Sequence, residues 1–134
     1  MKYILSVLLT AVAGFSFAGD FDAVEAKLKT AMAAEIRTDE EKERDRNRKP
    51  VQTLEFFGLR DDMRIVELIP GGGWYTKLLA PVMRDNGEYF VALGTGRVSR
   101  NVVTLPGFDH VQVVAEDSRL YRPDGARLYT LETN

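Results

Sequence analysis

The sequence predicts an α/β fold with a mainly parallel sheet. Three observations carry that expectation. Short apolar runs of strand type alternate with helical segments, the order that builds a parallel sheet. A strand–glycine–helix passage between Ile65 and Leu79 resembles the turns that such sheets place at their carboxyl ends. The length, 134 residues, gives room for one domain.

Composition narrows the class. The chain is 45% hydrophobic and 28% charged, which sets aside collagen-like, disordered and polytopic membrane proteins. Eighteen Lys and Arg stand against 20 Asp and Glu, so the overall charge gives no reason to expect nucleic acid as a partner. There is no cysteine, which excludes disulfides, thiol catalysis and cysteine-ligated zinc. A single histidine argues against a His-rich metal site, and no metal is expected.

The elements follow in order. Met1-Lys2 starts the chain with a positive charge, an apolar run extends from Tyr3 to about Val12, and Ser16 and Ala18 supply small residues around Phe17. That is the plan of a secretory signal peptide over 1–18, cleaved after Ala18; the alternative is an uncleaved N-terminal anchor or a buried helix. The run is shorter than the roughly 20 residues a spanning helix needs, so a periplasmic or secreted protein without a stable membrane span is expected.

Residues 20–47 read as one helical region within a unit spanning 19–50. Phe21, Val24, Leu28, Met32 and Ile36 share a helix face, and Asp20 is the expected N-cap. From Arg37 to Lys49 the apolar face gives way to alternating charges, read as a solvated face with surface ion pairs. Pro50 should end or redirect the helix.

Residues 51–134 form the main unit. Val51, Leu54 and Phe57 make a short helix stopped by Gly58. Arg64–Ile69 is the first strand, broken by Pro70-Gly71-Gly72-Gly73, and Trp74–Met83 is a helix loosened by Pro81. Tyr89–Leu93 is a second strand, His110–Ala115 a third and Arg127–Leu131 a fourth, with 94–109 left ambiguous by its glycines and prolines.

The glycine passage is the one chemical signature. Glycines after a strand let a ligand approach the main chain and allow positive φ. The following helix aims free N–H groups at that spot, which favours an anionic group. The alternative is a tight turn serving strand–helix packing alone. A phosphate loop with Gly-Lys-Ser/Thr is absent, as is a strict dinucleotide-binding glycine pattern.

Glu67-Leu68-Ile69-Pro70-Gly71-Gly72-Gly73-Trp74-Tyr75-Thr76-Lys77-Leu78-Leu79-Ala80-Pro81 resembles the first motif of exported class I S-adenosylmethionine-dependent methyltransferases. Arg44-Asp45, Arg48-Lys49-Pro50 and Leu54–Leu59 are similar to the segment preceding that motif. The resemblance runs from about Arg37 to Ala92 and continues more weakly through Val113–Asp117 and Pro123–Leu131. It implies a Rossmann-like partial sheet of about four strands and S-adenosylmethionine as cofactor. Glu67 would act on the amino group of the cofactor's methionine part. Gly71, Gly72 and Gly73 would make room for that part, Trp74 would wall it, and Asp117 would hydrogen-bond the adenine. Three positions depart from the family pattern. Ile69 stands where the loop's first glycine is usual, no acidic residue ends the second strand, and Arg127 stands where an acidic residue often begins the fourth. The family sheet has further strands, so the resemblance implies a C-terminally truncated, cofactor-binding half of the fold. Its fourth strand would be an exposed edge open to self-association.

Other residues have two readings. Trp74 and Tyr75 either pack the helix on the sheet or wall a pocket. His110 reads as structural or exposed rather than as a base. Arg44, Arg46, Arg48 and Lys49 read as a surface ion-pair network or as an anion site. The functional expectation is a methyltransferase-like protein with a small-molecule ligand and an unidentified methyl acceptor. Its alternatives are a non-catalytic remnant that binds a small ligand or another chain, and a generic dinucleotide binder.

Overall fold

A computed structural model describes residues 18–114, 119–121 and 127–130, with side chains described from 21 to 114. The expected signal segment, apart from Ala18, lies outside the described residues, as does Asp117. Among the described residues no helix is long and apolar enough to cross a membrane.

The order is α1 (Ala18–Ala33), α2 (Asp39–Arg48), α3 (Pro50–Phe56), β1 (Arg64–Leu68), α4 (Thr76–Met83), β2 (Glu88–Ala92), α5 (Gly96–Val98) continuing as a π-helical turn (Ser99–Val103), β3 (Val111–Val113), β4 (Arg119–Tyr121) and β5 (Arg127–Thr130). β1, β2 and β3 form a parallel sheet in that spatial order, with Arg64 opposite Glu88 and Tyr89 opposite Val111. The fold is therefore α/β with helices flanking a three-stranded parallel sheet, as the strand–helix alternation implies. The expected fourth strand forms at Arg127–Thr130 but does not join this sheet. It pairs antiparallel with Arg119–Tyr121 in a separate two-stranded ladder.

The single helix expected over 20–47 is two helices. Its apolar face ends at Ala33, and the chain turns through residues 34–38. Thr38 then caps α2: its Oγ1 accepts from the Glu41 N–H at 3.3 Å, and Glu41 Oε2 accepts from the Thr38 N–H at 3.0 Å. This reciprocal cap satisfies two N-terminal donors. Acidic residues in the first turn of α2 and Arg46 and Arg48 in its last turn suit the helix dipole. Lys49 adopts φ 43°, its N–H closing on the Asp45 carbonyl at 2.8 Å, and Pro50 opens α3.

The core lies on one face of the sheet. Val24, Leu28 and Ala31 of α1 meet Leu78, Val82 and Met83 of α4, which cover Tyr89 and Val91 of β2. Val98 and Val102, in the ambiguous 94–109 stretch, complete this layer with Phe108 and Val111. On the other face Val66 and Leu68 are 45% and 59% exposed. Because strand side chains alternate, Glu67 falls on the covered side with Ile65.

Candidate functional site

β1 ends at Leu68, and the loop from Ile69 to Tyr75 carries the chain into α4. Ile69, a β-branched residue, has φ 55° and is held by its N–H on the Ala92 carbonyl at 2.9 Å. Left-handed backbone at such a residue is strained. The first glycine missing from the expected motif is thus missing from a position whose backbone still takes a glycine-like conformation.

The three glycines do different work. Gly71 has φ 56°, and a Cβ there or at Gly72 would meet nothing within 4 Å. Gly73, at φ 84°, is buried, and a Cβ would lie 2.9 Å from Val102 Cγ2 and 3.0 Å from Val98 Cγ2. Gly71 and Gly72 therefore leave open space, whereas Gly73 lets the 96–103 segment close on the loop. The Gly73 N–H bonds the Pro70 carbonyl at 2.8 Å. The N–H groups of Gly71 and Gly72 donate to no acceptor among the described residues. Free N–H groups in succession are the donors from which anion-binding concavities are built.

Glu67 sits beneath the loop. Its Oε2 accepts from Thr76 Oγ1 at 2.5 Å and from the Tyr89 hydroxyl at 2.8 Å, leaving Oε1 without a donor among the described residues. Burial raises its pKa, against the two hydrogen bonds, which favour the carboxylate. Burial and the adjacent Glu67 charge push the Tyr89 hydroxyl well above its ordinary value, so it remains a donor.

α2 supplies the facing wall. Arg37, just before it, is buried and bonds Asp45 through both terminal nitrogens, at 2.7 and 2.6 Å. It also donates to the carbonyls of Met32 and Glu41. The Trp74 indole N–H donates to that same Glu41 carbonyl at 3.0 Å, and Lys77 Nζ lies 2.9 Å from both Glu41 carboxylate oxygens. The Arg48 guanidinium stacks 4.7 Å from the Trp74 ring centroid and 5.8 Å from that of Tyr75. The charged run is thus a docked segment. Asp45 and Glu41, expected to pair along the surface, instead tie α2 to Arg37 and to α4.

The result is a cleft of about 290 Å³ at the carboxyl end of β1, lined by Glu41, Arg44, Arg48, Glu67, Gly71, Gly72, Trp74 and Tyr75 among others. Of the residues expected from the sequence, it brings together Glu67, Gly71, Gly72 and Trp74. Gly73 lies behind it in the packing layer. Trp74 is buried, anchors α2 through the Glu41 carbonyl, a contact that neither expected role included, and lines the cleft. Arg44 and Arg48 belong to the site as well. His110 is remote from it: its Nε2 lies 2.7 Å from the Ala80 carbonyl, and its Nδ1 lies 3.1 Å from an Arg84 nitrogen.

In comparisons with known proteins, the chain matches no family model, no curated protein and no solved structure.

Proposed function

We propose that this chain is a class I methyltransferase-like protein whose β1–α4 loop binds S-adenosylmethionine. The observation that carries the reading is the coincidence of Glu67, Gly71, Gly72 and Trp74 in one cleft at the carboxyl end of a parallel strand, where open α/β sheets bind ligands. The fit is chemical as well as positional. Glu67 Oε1 is free to accept from an ammonium group, and the bare Cα atoms of Gly71 and Gly72 leave a cradle that side chains would fill. At the end of β2, Leu93 and Gly94 have φ values of 62° and 59°, and a Cβ at Gly94 would meet nothing within 4 Å.

When bound, the sulfonium supplies an electrophilic methyl group. In this reading Glu67 orients the amino group, the loop N–H groups and α2 fix the methionine part, and Trp74 excludes water from one side. Holding an acceptor in line with the methyl would supply much of the rate. The acceptor is a separate small molecule or chain, and Asp117 is the proposed adenine contact. Residues 1–18 would direct export to the periplasm or outside the cell.

Titration calorimetry of the chain with S-adenosylmethionine and S-adenosylhomocysteine tests the reading. Heat of binding that is lost in Gly72→Leu, with folding retained, is expected. No heat at about 1 mM ligand refutes it. The exposed apolar face around Val66 and Leu68 favours a second reading, a non-catalytic module that binds the same ligand and another chain on that face. That reading is distinguished by binding without methyl transfer to any acceptor.

A further inference from the structure

Two cations in the cleft are uncommitted. Arg44 and Arg48 lie one turn apart on α2, so they share a face. Both line the cleft, and neither forms an ion pair among the described residues. The other charged groups there are accounted for. Glu41 is engaged by Lys77, and Glu67 gives one oxygen to Thr76 and Tyr89. Asp45, on the same helix, is taken by Arg37.

Arg48 is fixed by its stack on Trp74 and Tyr75. Stacking uses the face of the guanidinium and leaves its edge N–H groups to donate, in a fork that matches two oxygens of one anion. Gly71 and Gly72 line the same cleft, and their N–H groups, which have no acceptor among the described residues, are available as further donors. Its other charged groups are Glu41, which is held by Lys77, and Glu67, with one open oxygen. The cleft therefore presents anion-binding donors and a carboxylate acceptor within about 290 Å³. That volume lies at the small end for ligand clefts and suits a head group better than a whole nucleoside.

We infer that the cleft receives an α-amino-acid head, with Arg44 and Arg48 clamping its carboxylate. The inference rests on the cofactor reading above and assigns the selectivity for the carboxylate to α2. Arg48 also acts by position, since its guanidinium is held by Trp74 before any ligand arrives.

Calorimetry on the chain with three probes tests it: S-adenosylhomocysteine, its decarboxylated thioether S-adenosyl-3-thiopropylamine, and 5′-methylthioadenosine, which lacks the amino-acid head altogether. The wild-type chain should bind S-adenosylhomocysteine about ten- to a hundredfold more tightly than either of the others, as expected for hydrogen bonds to a charged group. Arg44→Gln with Arg48→Gln should remove most of the preference over the decarboxylated probe, keep the part of the preference over 5′-methylthioadenosine that Glu67 carries, and leave affinity for 5′-methylthioadenosine unchanged. Arg48→Lys, which keeps charge but loses the planar fork, should fall between. Both side chains are exposed, and circular dichroism with thermal melting checks that the variants fold. Wild-type affinity for S-adenosylhomocysteine in the double glutamine variant overturns the clamp alone. Absence of S-adenosylhomocysteine binding to the wild-type chain overturns both the clamp and the cofactor reading.

Discussion

Gly73→Ala and Gly72→Ala should separate packing from ligand access inside one glycine run. At Gly73 the backbone is left-handed, which costs an alanine about 1–2 kcal/mol. The new methyl would also meet Val102 Cγ2 at 2.9 Å, Val98 Cγ2 at 3.0 Å and Thr76 Cβ at 3.5 Å. Overpacking of that kind costs about 1–3 kcal/mol. Losing a glycine narrows the unfolded ensemble and returns about 0.4–1 kcal/mol. The net expectation is a loss of about 1–5 kcal/mol for Gly73→Ala. Gly72 has neither constraint, so its alanine variant should equal the wild type or gain about 0.4–1 kcal/mol. Urea unfolding followed by circular dichroism reads both. With a slope of about 1–3 kcal/mol per molar, the Gly73 midpoint should fall by roughly 1 M while the Gly72 midpoint holds. Adding Val102→Ala to Gly73→Ala should recover the overpacking share, measured as a double-mutant coupling. A Gly73→Ala chain as stable as the wild type refutes the packing role.

Three further outcomes follow from the same geometry. Ile69→Gly should stabilise the chain by up to about 1 kcal/mol, since relief of a strained left-handed residue outweighs glycine's added entropy cost; a lower melting temperature counts against it. Asp45→Ala leaves the buried Arg37 without its counter-ion and should cost about 3–5 kcal/mol in urea unfolding, whereas the exposed Glu43→Ala should stay within about 0.5 kcal/mol. Burial raises the folded-state pKa of Glu67, so its ionised form costs stability at neutral pH, and that cost disappears as pH falls through the raised value toward the unfolded carboxylate range. Glu67→Gln should therefore melt higher than the wild type at pH 7 and lose that advantage near about pH 4, as followed by calorimetric scans; an advantage independent of pH contradicts the assignment.

The parallel sheet was legible because β1 and β2 are short apolar runs separated by a glycine turn and an amphipathic segment, and local pattern dictates such elements. The break in the N-terminal helix was also legible in principle. Thr38-Asp39-Glu40-Glu41 is a capping box, but the even spacing of Phe21 to Ile36 and the helix-forming charged residues beyond masked it. The placement of Arg127–Thr130 was not legible, because strand pairing is a non-local choice and the run would suit either a parallel or an antiparallel neighbour. At the site, Glu67, Gly71 and Gly72 could be found from the motif. What Gly73 contacts could not, since Val98 and Val102 lie about 25 residues downstream in a stretch with no clear periodicity. Arg44 and Arg48 stood in a run whose charges looked mutually satisfied. Only tertiary structure diverts Asp45 to Arg37 and Glu41 to Lys77, and so leaves those arginines uncommitted.

That diversion explains why α2 holds its position although none of its own side chains is buried. A helix without an apolar face gains nothing from hydrophobic docking and, on its own, is marginal in water at ten residues. Here its fixed points are polar and specific: the Glu41 carbonyl shared by Trp74 and Arg37, the Glu41–Lys77 pair, and the Arg37–Asp45 pair. Two of those contacts reach the loop and first turn that follow the glycines, so displacing α2 would disturb Trp74 and Lys77 together. Ligand binding between α2 and the loop should therefore protect the α2 amides from hydrogen exchange as strongly as those of residues 71–76. The Glu41→Gln variant, which weakens the link to Lys77 while keeping the carbonyl, should reduce protection in α2 first. Equal protection of α2 with and without ligand would mean that the helix is a static wall and takes no part in binding.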